Sequence, residues 1–282
     1  MRSAMRIGVF AGGLAVVFGA AFLAGGVFDP DVEDGEPTAH RAAAATHEGD
    51  ASAPARVLLA SSRFERGAGQ TLAFRVVDRE GRNVEDFDVE HGRRMHLIAV
   101  RHDLTGYRHL HPRPTGDGGW TVDVDFMAAG PHRVYADFVT RGKPYTLSAD
   151  VDVAGRYAAQ TLPAPATSSD AGDGYEVEVA RHGGERRFTV SRDGEPVDDI
   201  EPYLGARGHL VAIAEGDLAF EHVHPKDGAT EGREIRFDVA FGGPGRYRLF
   251  LQFKHDGKVR TAAFTERVGG GEPAHGDDGH GY

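Results

Sequence analysis

Hydrophobic and polar residues alternate in short segments throughout the chain after residue 55. Trp120, Val122, Val124 and Phe126 are separated by polar residues, and residues 235–241 follow the same pattern. Because successive side chains of a strand point to opposite faces, this alternation predicts strands with one buried face. Further candidate strands lie at residues 72–77, 133–139, 146–153, 187–191, 246–253 and 260–268.

Glycine and Asp-Gly turns separate these segments at short intervals, and no sustained helical period follows residue 28. Six or seven short strands in each stretch of about 100 residues are typical of a small sandwich. The sequence therefore predicts an all-β fold with two tandem immunoglobulin-like or cupredoxin-like sandwiches after one N-terminal transmembrane helix. The predicted sandwiches span residues 56–161 and 175–268, and a Pro/Ala/Ser-rich linker joins them at residues 162–174.

The two halves are copies of one another. Residues 95–112 (MHLIAVRHDLTGYRHLHP) align without a gap with residues 208–225 (GHLVAIAEGDLAFEHVHP), and after a shift of two positions residues 138–143 align with 253–258. Each copy carries three histidines in the spacing H-x12-H-x-H-P. The repeated spacing indicates a duplicated domain.

The N-terminus has the features of a membrane anchor. Arg2 and Arg6 precede 22 uncharged residues, 7–28, which would rise about 33 Å as a helix against about 30 Å of bilayer hydrocarbon. Residues 1–28 are therefore expected to be a single-pass signal anchor in the cell membrane, with the N-terminus inside and the rest of the chain extracytoplasmic. The alternative is a cleaved signal peptide and a secreted protein. Residues 29–55 are expected to form a disordered tether, and residues 269–282 a disordered tail containing His and Asp.

Composition narrows the range of partners. Lys and Arg total 32, Asp and Glu total 43, and the formal net charge is −11. This balance argues against a nucleic-acid partner, because phosphate binding needs clustered cations. The chain has no cysteine, which excludes disulfides, thiolate metal sites and cysteine nucleophiles.

The repeated histidines are the candidate chemistry. His109 and His111 are two residues apart and therefore share one face of a strand. His96 begins the preceding candidate strand, and residues 101–106 form the turn between them. An even connection places His96 across from the pair so that three imidazoles converge, whereas an odd one points His96 to the opposite face. The same choice applies to His209 in the second copy.

Three convergent imidazoles suit Zn²⁺, Cu²⁺ or Ni²⁺, and the scarcity of methionine and absence of cysteine favour Cu(II) over Cu(I). The candidate cofactor is therefore Cu(II) or Zn(II). The candidate metal ligands are His96, His109, His111, His209, His222 and His224. In the alternative interpretation the HxHP motif is a packing feature that binds nothing. The histidines without an equivalent in the other copy are expected to be solvated or locally bonded: His91, His102, His132, His182 and His255.

Catalytic signatures are missing. The sequence contains no GxSxG, P-loop, GxGxxG or HExxH pattern, and the glutamate that follows HxH in cupins is absent. We therefore expect no enzyme, but an anchored protein that binds copper or zinc for buffering or delivery. Its expected partners are the membrane and an envelope metal-handling or oxidase-assembly protein. The alternatives are a metal-free interaction module and, third, a zinc-dependent hydrolase or hydratase.

Three segments of the second copy carry a resemblance to known proteins: EPYLGARGHLVAI, DLAFEHVHP and GRYRLFLQFKHDGKVRTAAF. They resemble a family of uncharacterised bacterial secreted or membrane-anchored proteins with tandem HxHP-containing domains. More distantly, the architecture is similar to YtkA-like and CopC-like envelope domains, which implies an immunoglobulin-like sandwich linked to copper handling. CopC-type sites use an N-terminal histidine and a DxH motif. HxH stands in that place here, so that particular site does not carry over.

Overall fold

The computed structural model describes residues 55–226 and 233–269, apart from the side chains of His222 and His224. The predicted anchor, nearly all of the tether, and the tail beyond residue 269 lie outside these ranges. Within them the chain forms strands and connecting turns without a helix. Accordingly, this part of the chain contains no helix that is long and apolar enough to span a membrane.

The first repeat folds into two sheets that enclose a core. Its strands are β1 (Ala55–Leu59), β2 (Arg63–Phe64), β3 (Gly67–Asp78), β4 (His96–Arg101), β5 (Arg108–Leu110), β6 (Arg113–Pro114), β7 (Trp120–Phe126), β8 (Gly130–Thr140) and β9 (Lys143–Val153). One sheet has the order β1-β3-β7-β6 and the other β2-β9-β8-β4-β5. The first two strands divide between the sheets, since β1 pairs antiparallel with β3 and β2 pairs parallel with β9. This order is that of an immunoglobulin-like sandwich.

The second repeat has the same plan. Its strands are β10 (Ser168–Gly172), β11 (Tyr175–His182), β12 (Glu185–Arg192), β13 (Glu195–Pro196), β14 (Gly208–Ala214), β15 (Phe220–His222), β16 (His224–Pro225), β17 (Ile235–Asp238), β18 (Gly245–His255) and β19 (Lys258–Val268). The run β11-β12-β17-β16 repeats β1-β3-β7-β6, and β19-β18-β14-β15 repeats β9-β8-β4-β5. The prediction of two similar all-β domains is confirmed.

Alternation along the strands decides which side chains enter each core. In β7, Trp120, Val122, Val124 and Phe126 are buried, while the residues between them are partly or fully exposed. They pack against apolar side chains of the opposing sheet, such as Leu147. Burying a side chain of this size contributes about 1.5–3 kcal/mol, so this face holds the two sheets together.

The connection between the repeats differs from its prediction in one respect. Within the predicted linker at 162–174, Ser168–Gly172 forms strand β10, which pairs with β11, and Leu162 is buried. The small and polar residues of this segment have a low intrinsic preference for strands. Ladder hydrogen bonds to β11 outweigh that preference, and the irregular part of the connection between Leu162 and β10 shortens to residues 163–167.

A third apolar cluster joins the two repeats. In β4, Leu97 and Ala99 face the core of the first repeat, whereas Ile98 and Val100 face the second repeat. The corresponding strand β14 divides its side chains in the same way. The inter-repeat cluster comprises Ile98, Val100, Leu104, Tyr107, Tyr135, Leu162, Val211, Ile213, Leu218, Phe220 and Phe250.

The contacts across this cluster are related by an internal two-fold symmetry. Tyr107 corresponds to Phe220 in the repeat alignment, and Tyr135 corresponds to Phe250. Tyr107 stacks on Phe250 with ring centroids 4.1 Å apart, and Phe220 meets Tyr135 at 5.1 Å. The same patch of each repeat therefore contacts its counterpart, as in an isologous dimer interface.

The turns after β4 and β14 also contribute to the cluster. Leu104 and Leu218 have positive φ angles of 61° and 58°, a left-handed conformation that is uncommon for residues other than glycine. Both side chains are buried, with 2% and 3% of their surface exposed. Burial of a leucine contributes about 1.5–3 kcal/mol, which offsets a backbone cost of about 1–3 kcal/mol.

Candidate metal centre

Strands β4 and β5 bring three histidines together. Leu97 pairs with Leu110 and Ile98 pairs with His109, so His96 lies one position beyond the ladder and beside His111. This is the even arrangement, in which His96 shares a face with the other two histidines. One nitrogen from each of His96, His109 and His111 lies within 4.8 Å of the others.

The separations within this triad fit a shared ion. His96 Nδ1 and His109 Nε2 are 3.0 Å apart. The ring centroids are 5.3 Å apart for His96 and His109, 5.1 Å for His96 and His111, and 5.0 Å for His109 and His111. Two metal–nitrogen bonds of about 2.0–2.1 Å at 90–110° place their nitrogens about 2.8–3.4 Å apart. The closest pair of nitrogens therefore already has the spacing of two ligands on one ion.

Hydrogen bonds at the outer ring nitrogens set the direction of the lone pairs. His109 Nδ1 donates to Gln252 Oε1 at 2.7 Å, and His96 Nε2 donates to the backbone oxygen of Glu90 at 3.4 Å. With those hydrogens in place, the neutral rings direct the lone pairs of His96 Nδ1 and His109 Nε2 at each other. A metal ion between the two nitrogens would accept both lone pairs, whereas in the neutral triad without an ion one of the two nitrogens carries the proton and donates to the other. Ligating histidines in metal sites are oriented by bonds of this kind.

His111 supplies the third nitrogen with little competition. Its Nε2 is buried and has no hydrogen-bond partner among the described residues. An unpaired buried acceptor or donor costs about 1–3 kcal/mol, and a metal bond to this nitrogen would remove that cost.

Burial keeps the triad neutral. Removal from water lowers the pKa of His109 to about 3 and that of His111 to about 4. Burial also lowers the pKa of His96, although the negative charge of Asp137 acts to raise it. Neutral imidazole is the form that binds metal ions, so the three side chains are ready to act as ligands at neutral pH.

A small cavity adjoins the triad. Its volume is about 20 Å³, and its lining includes His96, His209, Asp137 and Glu90. About 10–15 Å³ of such volume holds one water. The cavity therefore has space for one small ligand beside the first triad.

The corresponding histidines of the second copy are described only in part. His209 lies in β14, and its ring stacks on that of His109 with centroids 4.4 Å apart. Val211 pairs with His222, the same backbone register as Ile98 with His109 in the first copy. The side chains of the other two predicted ligands of this copy lie outside the described set.

Three of the other histidines bond locally and do not join the triad. His132 Nδ1 bonds to the Gly130 oxygen at 2.9 Å, and His102 Nε2 lies 3.2 Å from an Asp150 oxygen. His255 lies between Tyr175 and Asp199. The prediction of local bonding is confirmed for these three. The histidines of the tether and of the tail lie outside the described residues.

Sequence reasoning missed the contribution of the second repeat to the first triad. Gln252 and His209 both touch His109 from the other repeat. The signal was present in the apolar runs HLIAV and HLVAI. A continuous apolar run marks a strand buried on both faces, and the second face had to be covered by something outside its own sandwich.

Comparison with known proteins gives a family. Residues 51–155 and 170–270 each match a domain of unknown function, DUF8832. The chain belongs to this family. The two matched segments coincide with the two sandwiches, so the structural repeat is a tandem of DUF8832 copies. A comparison with curated proteins finds no match.

Several solved structures share a likeness with the chain. An Escherichia coli adhesin, FdeC, is 13% identical with a TM-score of 0.25, covering 77% of this chain and 64% of its own. A Salmonella alpha-2-macroglobulin is 12% identical with a TM-score of 0.26, covering 76% and 15% respectively. Domains 4–9 of the surface-layer protein SbsC are 12% identical with a TM-score of 0.21, covering 75% and 30%. This chain thus spans less than two thirds of each of these three proteins. The description of its fold rests on its own strand order.

Proposed function

We propose that this protein is a membrane-anchored extracytoplasmic protein that binds divalent copper or zinc through its repeated histidine triads, for buffering or delivery. One observation carries the proposal. His96, His109 and His111 place a nitrogen each within 4.8 Å of the others, although 13 positions separate His96 from His109 along the chain.

The donor set favours Cu(II) or Zn(II). Imidazole nitrogens suit both ions, and no sulfur ligand is available because the chain has no cysteine. Three protein ligands leave at least one coordination position open. An open position lets a partner take over the ion, which suits buffering or delivery. No enzymatic activity is part of this proposal.

The repeat extends the proposal to a second ion. The second copy keeps the spacing of all three histidines, and its backbone pairing Val211–His222 has the register of the first copy. We therefore assign His209, His222 and His224 to a second triad.

The N-terminal residues support the proposed location and, through it, the proposed partner. Arg2, Arg6 and the uncharged segment 7–28 support a location in the cell membrane with the repeats outside. A partner at that location would be an envelope protein that handles metal or assembles an oxidase.

Calorimetric titration of the full chain with Cu(II) and with Zn(II) tests the proposal. Excess Mg²⁺ in the buffer occupies carboxylates, which it prefers to imidazole, so the acidic surface does not contribute. Two ions per chain are expected. His109→Phe keeps an aromatic ring but removes a ligand, and should leave one ion per chain.

His182→Ala is the matched control, because His182 is an exposed histidine at the end of β11. It should bind as the unaltered chain does. Absence of binding by the unaltered chain would overturn the proposal and leave the metal-free interaction module. Equal loss in both variants would show that the binding is unspecific.

A further inference from the structure

The first triad is not contained within the first repeat. The edge of the His109 ring bonds to Gln252, and its face stacks on His209. Both residues belong to the second repeat, from strands β18 and β14. The ring of one ligand is therefore held from outside the domain that carries the triad.

Gln252 is itself fixed in orientation. Only 7% of its surface is exposed, and its Nε2 lies 3.4 Å from Thr261 Oγ1 of the neighbouring strand. With the amide nitrogen directed to Thr261, the amide oxygen faces His109. This contact places the proton of His109 on Nδ1 and leaves Nε2 as the lone pair toward the triad.

The first repeat carries a related pair of residues at the symmetry-equivalent positions. Asp137 corresponds to Gln252 in the repeat alignment, and Thr146 corresponds to Thr261. Thr146 Oγ1 donates to Asp137 Oδ1 at 2.8 Å, whereas Thr261 Oγ1 accepts from the amide of Gln252. Each repeat therefore carries a buried amide or carboxylate side chain on the face that packs against the other repeat. In both repeats a threonine of the neighbouring strand pairs with it.

We propose that the first triad is an inter-repeat metal site in which Gln252 of the second repeat positions His109, so that metal binding and docking of the two repeats stabilise each other. This inference rests on the proposed function and adds its regulation. An ion that binds the docked form more tightly stabilises the docking by mass action. In the opposite direction, separation of the repeats releases His109 from its orienting bond and weakens the site, which is a route to release of the ion.

Two substitutions of Gln252 in the full chain test the role of its oxygen. Gln252→Leu keeps the volume but cannot accept a hydrogen bond, and should weaken the affinity for Cu(II) or Zn(II) by about 10- to 100-fold, the usual effect of losing such a partner. Gln252→Glu still accepts the bond from His109 Nδ1 and should keep the affinity within a few-fold of the unaltered chain. A purely structural role of Gln252 would not produce this difference.

The linkage needs a variant remote from the triad. Phe250→Ala removes a ring that contacts the first repeat through Tyr107, and should weaken binding at the first triad although it removes no ligand. Circular dichroism confirms that each variant is folded. Thr261→Val, which loosens only the Gln252 amide, replaces Gln252→Leu if that variant does not fold, and should weaken affinity in the same direction.

The outcomes separate the two proposals. If the unaltered chain binds no metal, the proposed function fails and this inference with it. If the unaltered chain binds metal but Gln252→Leu binds equally well, or Gln252→Glu loses as much affinity as Gln252→Leu, the inter-repeat site is wrong and the metal-binding function stands. Unchanged binding in Phe250→Ala would overturn the linkage.

Discussion

Tyr107 of the first repeat lies flat against Phe250 of the second, with ring centroids 4.1 Å apart and planes 11° apart. Both rings are buried, so their contact area is removed from water only when the repeats are docked. The stack belongs to a cluster that continues through the two central strands β4 and β14. The docking surface and the first histidine triad therefore share strand β4, which carries His96.

Loss of the Tyr107 ring should destabilise the protein. Tyr107→Ala is expected to lower the free energy of unfolding by about 3 kcal/mol, the usual cost of removing a buried aromatic ring. Tyr107→Phe keeps the stack and removes a buried hydroxyl that has no hydrogen-bond partner among the described residues, so it should cost nothing or stabilise. Urea denaturation measures both. Equal losses in the two variants would contradict this role of the stack.

Tyr135 provides the opposite case. Its hydroxyl donates to the backbone oxygen of Leu218 at 2.7 Å, across the interface. Tyr135→Phe should therefore lower the free energy of unfolding by about 1 kcal/mol, because the carbonyl loses its partner in a buried place. Measured beside Tyr107→Phe under the same conditions, it should be the less stable variant. The reverse order would contradict the hydrogen bonding described here.

Limited proteolysis should cut the connection between the repeats without separating the two repeats. Residues 163–167 are an exposed, irregular part of the connection between the repeats, and the first cut between the repeats should fall there. After the cut, the two fragments should still elute together from a size-exclusion column, because the inter-repeat cluster stays buried. Mass spectrometry locates the cut. Fragments that elute separately would show that the linker, and not the cluster, holds the repeats together.

Acid should destabilise the metal-free protein through its triad. Free histidine has a pKa of about 6.5, whereas burial lowers the pKa of His109 to about 3 and of His111 to about 4. Between those values the unfolded chain binds protons that the folded chain does not, so stability falls as the pH decreases from about 6.5 to about 4.

The double variant His109→Phe, His111→Phe provides the comparison. Urea midpoints in the presence of a chelator should decrease less steeply with falling pH in this variant than in the unaltered chain. Parallel pH profiles would show that these two histidines do not carry the effect.

The sequence by itself determined the local part of this structure. Alternation in 120–126 predicted strand β7 because side chains of a strand point to opposite faces whatever lies around it. Likewise, His109 and His111 share a face by their separation of two residues. The repeated H-x12-H-x-H-P spacing gave the duplication, which the two DUF8832 matches confirm.

Only the tertiary structure decided how these parts meet. The register of β4 against β5 depends on the backbone of the turn around Leu104, whose positive φ no sequence pattern prescribed, and that register brings His96 to the pair. The contact of Gln252 with His109 joins residues 143 positions apart. It exists because each central strand has a second apolar face, and burying those two faces against each other removes both from water.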